Sequence, residues 1–179
     1  MSIVKAAYSA LGIIAPLLVS PLFLLSKRGR IRLSERYGNW DLPAGKYTCF
    51  HGASVGEIRG LMPLLKKMKA ERPELKILLT ATSPTGLDAG AACSDEQRLL
   101  PFDHAFWLRR ALKGVEISQF IVTETELWPA IISELKRQSV PVFIINGRIS
   151  KHSYRRYLQM KGMLKELFHG ITMILASDK

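Results

Sequence analysis

Residues 46–81, KYTCFHGASVGEIRGLMPLLKKMKAERPELKILLTA, decide the fold. Lys46–His51 is an apolar β-type run, and Gly52 and Gly56 allow a tight turn. Apolar residues at helical spacing then predict a helix from about Val55 to Ala70, and Leu75–Ala81 reads as a second strand. Strand, helix, strand over this length is a βαβ unit. The pattern continues with a helix over Pro84–Ala92, a short strand at Arg98–Leu100 and a helix over His104–Leu112. Gln119–Thr123 is a strand, Pro129–Gln138 a helix and Val140–Asn146 a strand, followed by a helix over Tyr154–Phe168 and a strand at Ile171–Ala176. Such alternation predicts an α/β fold, a Rossmann-like parallel sheet with flanking helices. Continuous apolar strands agree with a sheet covered on both faces.

The chain has 179 residues, enough for one domain with a core but hardly for two. Lys and Arg number 26 against 15 Asp and Glu, a net charge of +11, which points to an anionic partner such as a membrane surface, a phosphorylated substrate or nucleic acid. No basic tract carries interleaved aromatics, so nucleic acid is the weakest of these. Cys49 and Cys93 form no CxxC pair, and the four histidines show no metal-ligand spacing, so neither a disulfide framework nor a bound metal is expected.

Ala6–Leu25 is a run of twenty residues without a charge, long enough to cross a bilayer as a helix. Lys27, Arg28, Arg30, Arg32 and Arg36 follow it, and only Lys5 is close before it, which predicts a cytoplasmic domain behind an N-terminal anchor. Pro16 and Pro21 leave open whether the segment spans or inserts into one leaflet. A cleaved signal peptide and a buried core helix are the rival readings. The expected organisation is an anchor over residues 1–26, a basic connection over 27–45 and the Rossmann-like domain over 46–179.

Ligands of open α/β sheets bind at the carboxyl ends of the strands, and four polar loops fall there. In the first, Ser54-x-x-Glu57 has the spacing of a capping box, which would make Glu57 a helix cap. A carboxylate beside a positive helix end also suits a general base, and both roles can coexist. The loop is neither a P-loop nor GxGxxG, so no nucleotide fingerprint is present. Thr82–Gly86 resembles a helix cap whose hydroxyls, Thr85 included, are suited to a sugar. Thr123–Pro129, TETELWP, sets Glu124 and Glu126 at the next position, with Pro129 placed as the first helical residue. Asn146-Gly-Arg148-Ile-Ser150 ends a strand with an amide, a guanidinium fitted to phosphate or carboxylate, and a hydroxyl.

In chain order these are an apolar N-terminal segment, ERYG (Glu35–Gly38), H-x-x-SVGE, a modified T-x-T-x-x-TG over Thr80–Gly86, P-x-D at Pro101–Asp103, TETELWP, and N-x-R-x-S with Ser153 beyond. Together they resemble the 3-deoxy-D-manno-octulosonic acid (Kdo) transferases of Gram-negative bacteria. The sequence departs from the family pattern at Ala130, usually Asn, and Gly147, usually Ala.

The resemblance implies the N-terminal, acceptor-binding half of a GT-B glycosyltransferase at the cytoplasmic face of the inner membrane. It implies inverting, metal-independent transfer of Kdo from CMP-Kdo to the lipid A precursor, lipid IVA, with no cofactor. Glu57 would be the base and Glu124 a second essential carboxylate. Ser54, Gly56, Thr85, Glu126, Asn146, Arg148 and Ser150 would bind substrate. The expected partners are the lipid A precursor, the inner membrane and CMP-Kdo held by a C-terminal domain that this chain lacks. The alternative is a non-catalytic module, left by truncation, that binds anionic lipid at a membrane.

Overall fold

The computed structural model of the chain describes residues 3–149, 153–155, 157 and 161–177. Three helices come first: α1 (Ile3–Leu25), α2 (Lys27–Arg30) and α3 (Leu33–Arg36). The sheet domain follows as β1 (Gly45–Gly52), α4 (Val55–Glu71), β2 (Ile77–Ala81), α5 (Pro84–Gly90), β3 (Glu96–Leu99), α6 (Ala105–Ala111), β4 (Val115–Thr123), α7 (Pro129–Arg137), β5 (Val142–Gly147), α8 (Lys161–Phe168) and β6 (Met173–Ala176). All strand pairs are parallel, in the order β3-β2-β1-β4-β5-β6. The order reverses between β1 and β4, which opens a crevice at their carboxyl ends.

Strand periodicity divides the core. Cys49, Leu78, Phe120, Val122 and Val142 pack under α6, α7 and α8 with Leu108, Ile131, Leu135 and Leu164. Phe50, Leu79, Ala81 and Ile121 point the other way, onto Ile58, Leu61 and Leu65 of α4 and Leu87 of α5. Successive residues alternate faces, so one strand feeds both layers. Buried thiols at Cys49 and Cys93 are free, and burial pushes the Cys49 thiol up to about 12. Both therefore behave as small apolar residues.

Among the described residues the strands and helices of the sheet domain fall where the sequence places them, with edges displaced by a few residues; of the helix expected over Tyr154–Phe168, residues 156 and 158–160 lie outside the described residues. β4 begins at Val115 rather than Gln119, because Gly45, Lys46 and Tyr47 continue the ladder against Val115, Glu116 and Ile117. Residues 27–45 are less plain a connection than expected, since they contain α2 and α3. Glu35 is the joint: Arg32 Nε donates to its Oε1 at 2.7 Å, and Leu99 N donates to its Oε2 at 2.7 Å. This ties ERYG to the end of β3.

Among the described residues no helix is long and apolar enough to cross a membrane. Instead, α1 docks along the domain. Tyr8 donates its hydroxyl proton to the Asp103 carboxylate, Trp107 Nε1 donates to Gly12 O at 3.3 Å, and Tyr37 donates to Pro16 O at 2.9 Å. Phe23 meets Phe102 with centroids 6.4 Å apart. Positions 8, 12, 16 and 23 share one helical face. Ile14, Leu17, Leu18, Leu22 and Leu25 turn away and are 51–79% exposed. The acid of P-x-D has a structural duty here as well, since Asp103 also accepts from Ala130 N (3.3 Å) and Ile131 N (2.8 Å) at the start of α7.

Glu134 on α7 is a buried carboxylate held by Arg109 (2.8 and 2.7 Å), Arg137 (3.0 and 2.6 Å) and Gln138 (2.9 Å). Burial pushes its carboxyl up, but these bonds outweigh that and hold it far below its ordinary 4.5. A depressed folded-state value means the contribution is complete above about 4.5 and is lost as pH falls below it. Both arginines are more than half exposed, so solvent screens the pairs. Glu134→Gln is expected to cost about 1–2 kcal/mol at neutral pH and progressively less in acid. Urea unfolding at pH 7 and pH 3 measures this, and an equal loss at both values would refute it.

Candidate active site at the β1–β4 crevice

Glu57 lies in the first turn of α4, whose N-cap is Ser54. Ser54 Oγ accepts from Glu57 N at 3.2 Å, the forward half of a capping box. The return half is displaced by one residue, with Ala53 N donating to Glu57 Oε2 at 2.9 Å. The Thr123 hydroxyl, at the end of β4, lies 2.9 Å from the same oxygen and 3.2 Å from the His51 carbonyl. Oε2 is thus held from both strands that flank the crevice, while Oε1 carries no hydrogen bond among the described residues. A fixed carboxylate with one uncommitted oxygen is what proton removal from a bound hydroxyl requires.

Beneath this pair sits His51, fully buried. Thr80 Oγ1 donates to Phe50 O at 3.1 Å and lies 3.0 Å from His51 Nδ1, so the network assigns the proton to Nδ1. Burial lowers the ring's pKa to about 4, against the opposing pull of Glu57, so it is neutral at physiological pH. Among the described residues, His51 Nε2 is left as a buried acceptor without a partner, and Trp128 Nε1–H as a buried donor without one. Their rings meet edge-on with centroids 5.8 Å apart.

Glu124 begins the next loop at φ +58°, its backbone N–H donating to Ile145 O at 2.8 Å. That left-handed residue turns the chain so that Glu126 comes toward Glu57. Burial, then the charges of Glu57 and Glu124, push the Glu126 carboxyl up. Three carboxylates therefore converge on one edge, and burial with its two neighbours' charges favours the neutral form of Glu126. Tyr157 faces it, its hydroxyl pushed up by burial and by the Glu126 charge. Thr125 clasps the neighbouring loop, donating to Arg148 O and accepting from Arg148 N at 3.0 Å.

The other sequence-predicted residues are less engaged. A Cβ on Gly56 would meet only Ser54 Oγ at 3.7 Å, whereas one on Gly52 would meet Ile58 Cδ1 at 2.8 Å, so packing favours glycine at position 52 and leaves position 56 open to a ligand. Thr85 is exposed and touches Ser83 Oγ at 3.2 Å, and Ser83 caps α5 by accepting from Gly86 N. Asn146 has φ +54°, and its side chain and that of Arg148 are exposed. Ser150 lies outside the described residues. Nothing in spacing marks Thr123 as a partner of Glu57, because it meets the carboxylate only through the β1–β4 register. A cavity of about 330 Å³ between α1, α7 and α8, lined in part by Tyr8, Pro129, Glu134 and Leu167, contains none of the sequence-predicted residues.

A family model described as 3-deoxy-D-manno-octulosonic-acid transferase (kdotransferase) matches residues 31–179. The 3-deoxy-D-manno-octulosonic acid transferase of Haemophilus influenzae is 36% identical over 179 residues, covering 95% of this chain and 42% of that protein. A protein of the same name from Chlamydia trachomatis is 28% identical over 139 residues, 75% of this chain and 32% of its own. A bifunctional glycosyltransferase/methyltransferase of Fusobacterium nucleatum is 31% identical over 145 residues, 78% of this chain and 22% of its own. The chain spans less than half the length of each. Because the family match takes in the crevice with Glu57, the TETELWP loop and every strand of the sheet, this chain belongs to the 3-deoxy-D-manno-octulosonic acid transferase family of glycosyltransferases.

Proposed function

We propose that this chain is the acceptor-binding half of a GT-B glycosyltransferase that moves Kdo from CMP-Kdo to the lipid A precursor, lipid IVA, by an inverting reaction without a metal. The observation that carries the reading is Glu57, whose Oε2 is pinned at 2.9 Å by both Ala53 N and Thr123 Oγ1 while Oε1 is unengaged among the described residues. Oε1 takes the proton of the acceptor hydroxyl as its oxygen bonds to the anomeric carbon of Kdo. The bond from that carbon to the CMP phosphate breaks, and CMP departs with the electron pair. Glu124, Glu126, Ser54, Asn146 and Arg148 surround the acceptor sugar, and residues of a C-terminal domain hold CMP-Kdo.

We further propose that α1 anchors the domain to the cytoplasmic face of the inner membrane by lying in one leaflet. Its docked face and its exposed leucines support this, as do the cations that follow it. The second reading, a lipid-binding module without catalysis, draws on the same apolar face and on the net charge of +11.

The test is Kdo transfer from CMP-Kdo to lipid IVA by this chain joined to the C-terminal part of the Haemophilus influenzae relative. Transfer is expected, and its absence from a folded, membrane-bound chimera would leave the lipid-binding module in its place.

A further inference from the structure

Three arginines among the described residues are half-buried, Arg32, Arg36 and Arg98, and two of them have an acid: Arg32 pairs with Glu35 and Arg98 with Glu96. Arg36 is different. Its side chain is half-buried, and no carboxylate among the described residues lies within ion-pair distance. The guanidinium sits 5.9 Å from the Phe23 centroid and 6.0 Å from that of Phe102, and Nη2 donates to Thr82 O. Burial pulls its pKa below the ordinary value, yet an arginine keeps its charge.

Two aromatic faces and one carbonyl only partly compensate such a charge. They leave most of its five N–H donors without an acceptor among the described residues. They do fix the plane of the fork. Position matters too, because Phe23 belongs to the last turns of α1, and Thr82 donates to Ala53 O at 2.5 Å, in the loop that carries Glu57. Arg36 therefore stands between the end of the apolar helix and the mouth of the crevice.

We propose that Arg36 is a phosphate seat, its guanidinium fork taking the phosphate of a lipid headgroup at the rim of the crevice. The inference rests on the membrane-bound reading of α1. Planar, pre-oriented guanidinium matches two phosphate oxygens, and stacking between rings keeps it from turning away. Phosphate chemistry is common to a phosphorylated glycolipid acceptor and to bilayer phospholipid, so the source is a matter for experiment.

The test uses the full chain and co-sedimentation with phosphatidylcholine vesicles, plain, doped with phosphatidic acid, or doped with bis-phosphorylated lipid A. About 0.5 M salt removes most attraction by exposed cations and spares a half-buried contact. Binding to phosphate-doped vesicles is expected to fall about tenfold in Arg36→Gln, the loss of one charge-assisted bond. Arg36→Lys, which keeps the charge and loses the fork, is expected to fall nearly as far, and Arg30→Gln less than twofold. Equal binding to both doped vesicles makes bilayer phosphate the ligand, and a preference for lipid A makes it the acceptor. Unchanged binding by Arg36→Gln overturns the seat.

Should Arg36→Gln fail to fold, the wild-type chain in neutral detergent decides, through the Arg36 Nε–H resonance titrated with inorganic phosphate. A saturable shift supports the seat, and a resonance that does not move refutes it. Neither measurement needs donor sugar, so failure here leaves the transfer reading standing, and failure of transfer leaves the seat measurable.

Discussion

Glu57→Gln is expected to lower Kdo transfer by the active chimera about 10²–10⁴-fold, the range for loss of a general base. The melting temperature should change by no more than about 2–4 °C. Glutamine is admissible at the third position of a capping box, and its amide oxygen accepts from Ala53 N and Thr123 Oγ1 as Oε2 does. Cap and geometry are therefore retained, and only the capacity to take a proton is lost. A variant with near-normal transfer would make Glu57 a cap alone. A variant that loses stability in step with activity would make the loss structural. Thr123→Val is the companion, since it removes the arm from β4 without altering the base. It is expected to lower kcat about tenfold with KM steady, and Thr123→Ser should restore it.

Gly38→Ala is expected to give the largest loss of stability among single-methyl changes, about 2–5 kcal/mol, or a fall in melting temperature of about 5–15 °C. Gly38 closes ERYG at φ +74°, a backbone region that L residues enter at a cost. A Cβ there would stand 2.3 Å from Trp107 O and 3.0 Å from Ala111 N. Both are backbone atoms of α6, so relief requires the helix itself to move. That shift would loosen Tyr37, which meets Phe102 and Trp107 with centroids 5.2 Å away and bonds Pro16 of α1. Gly114→Ala is the control. Its φ is +79°, but no atom lies within 4 Å of the added methyl, so only the backbone cost of about 1–2 kcal/mol is expected. Equal losses in the two variants would show that the contact with α6 contributes nothing.

The sheet domain was legible because its signals are local. KYTCFH and LKILLTA are apolar runs of strand length, Ser54 and Ser83 stand where N-caps belong, and Pro84 and Pro129 mark helix starts. ERYG stands out in the sequence as a motif but not as structure, since two helices of four residues have no periodicity to detect. Its meaning is tertiary: Glu35 holds Leu99, Arg36 reaches Thr82 and Gly38 abuts α6. Likewise Asp103 of P-x-D lies among the motif residues in sequence but serves as cap for α7 and partner for Tyr8.

Glu57 shows the division most clearly. The sequence by itself determined an α/β fold, a helix starting at Ser54 and a glutamate at the third position of that helix, because caps, turns and strand periodicity are set by neighbours in the chain. It allowed a cap and a base at once and said nothing of what holds the carboxylate. That came with the tertiary fold, which lays β4 beside β1 in a register that pairs His51 with Val122 and brings Thr123 to the same carboxylate oxygen that Ala53 holds. Sixty-six positions separate Thr123 from Glu57. No local rule spans that interval, and the parallel pairing of two strands at the reversal of the sheet order closes it.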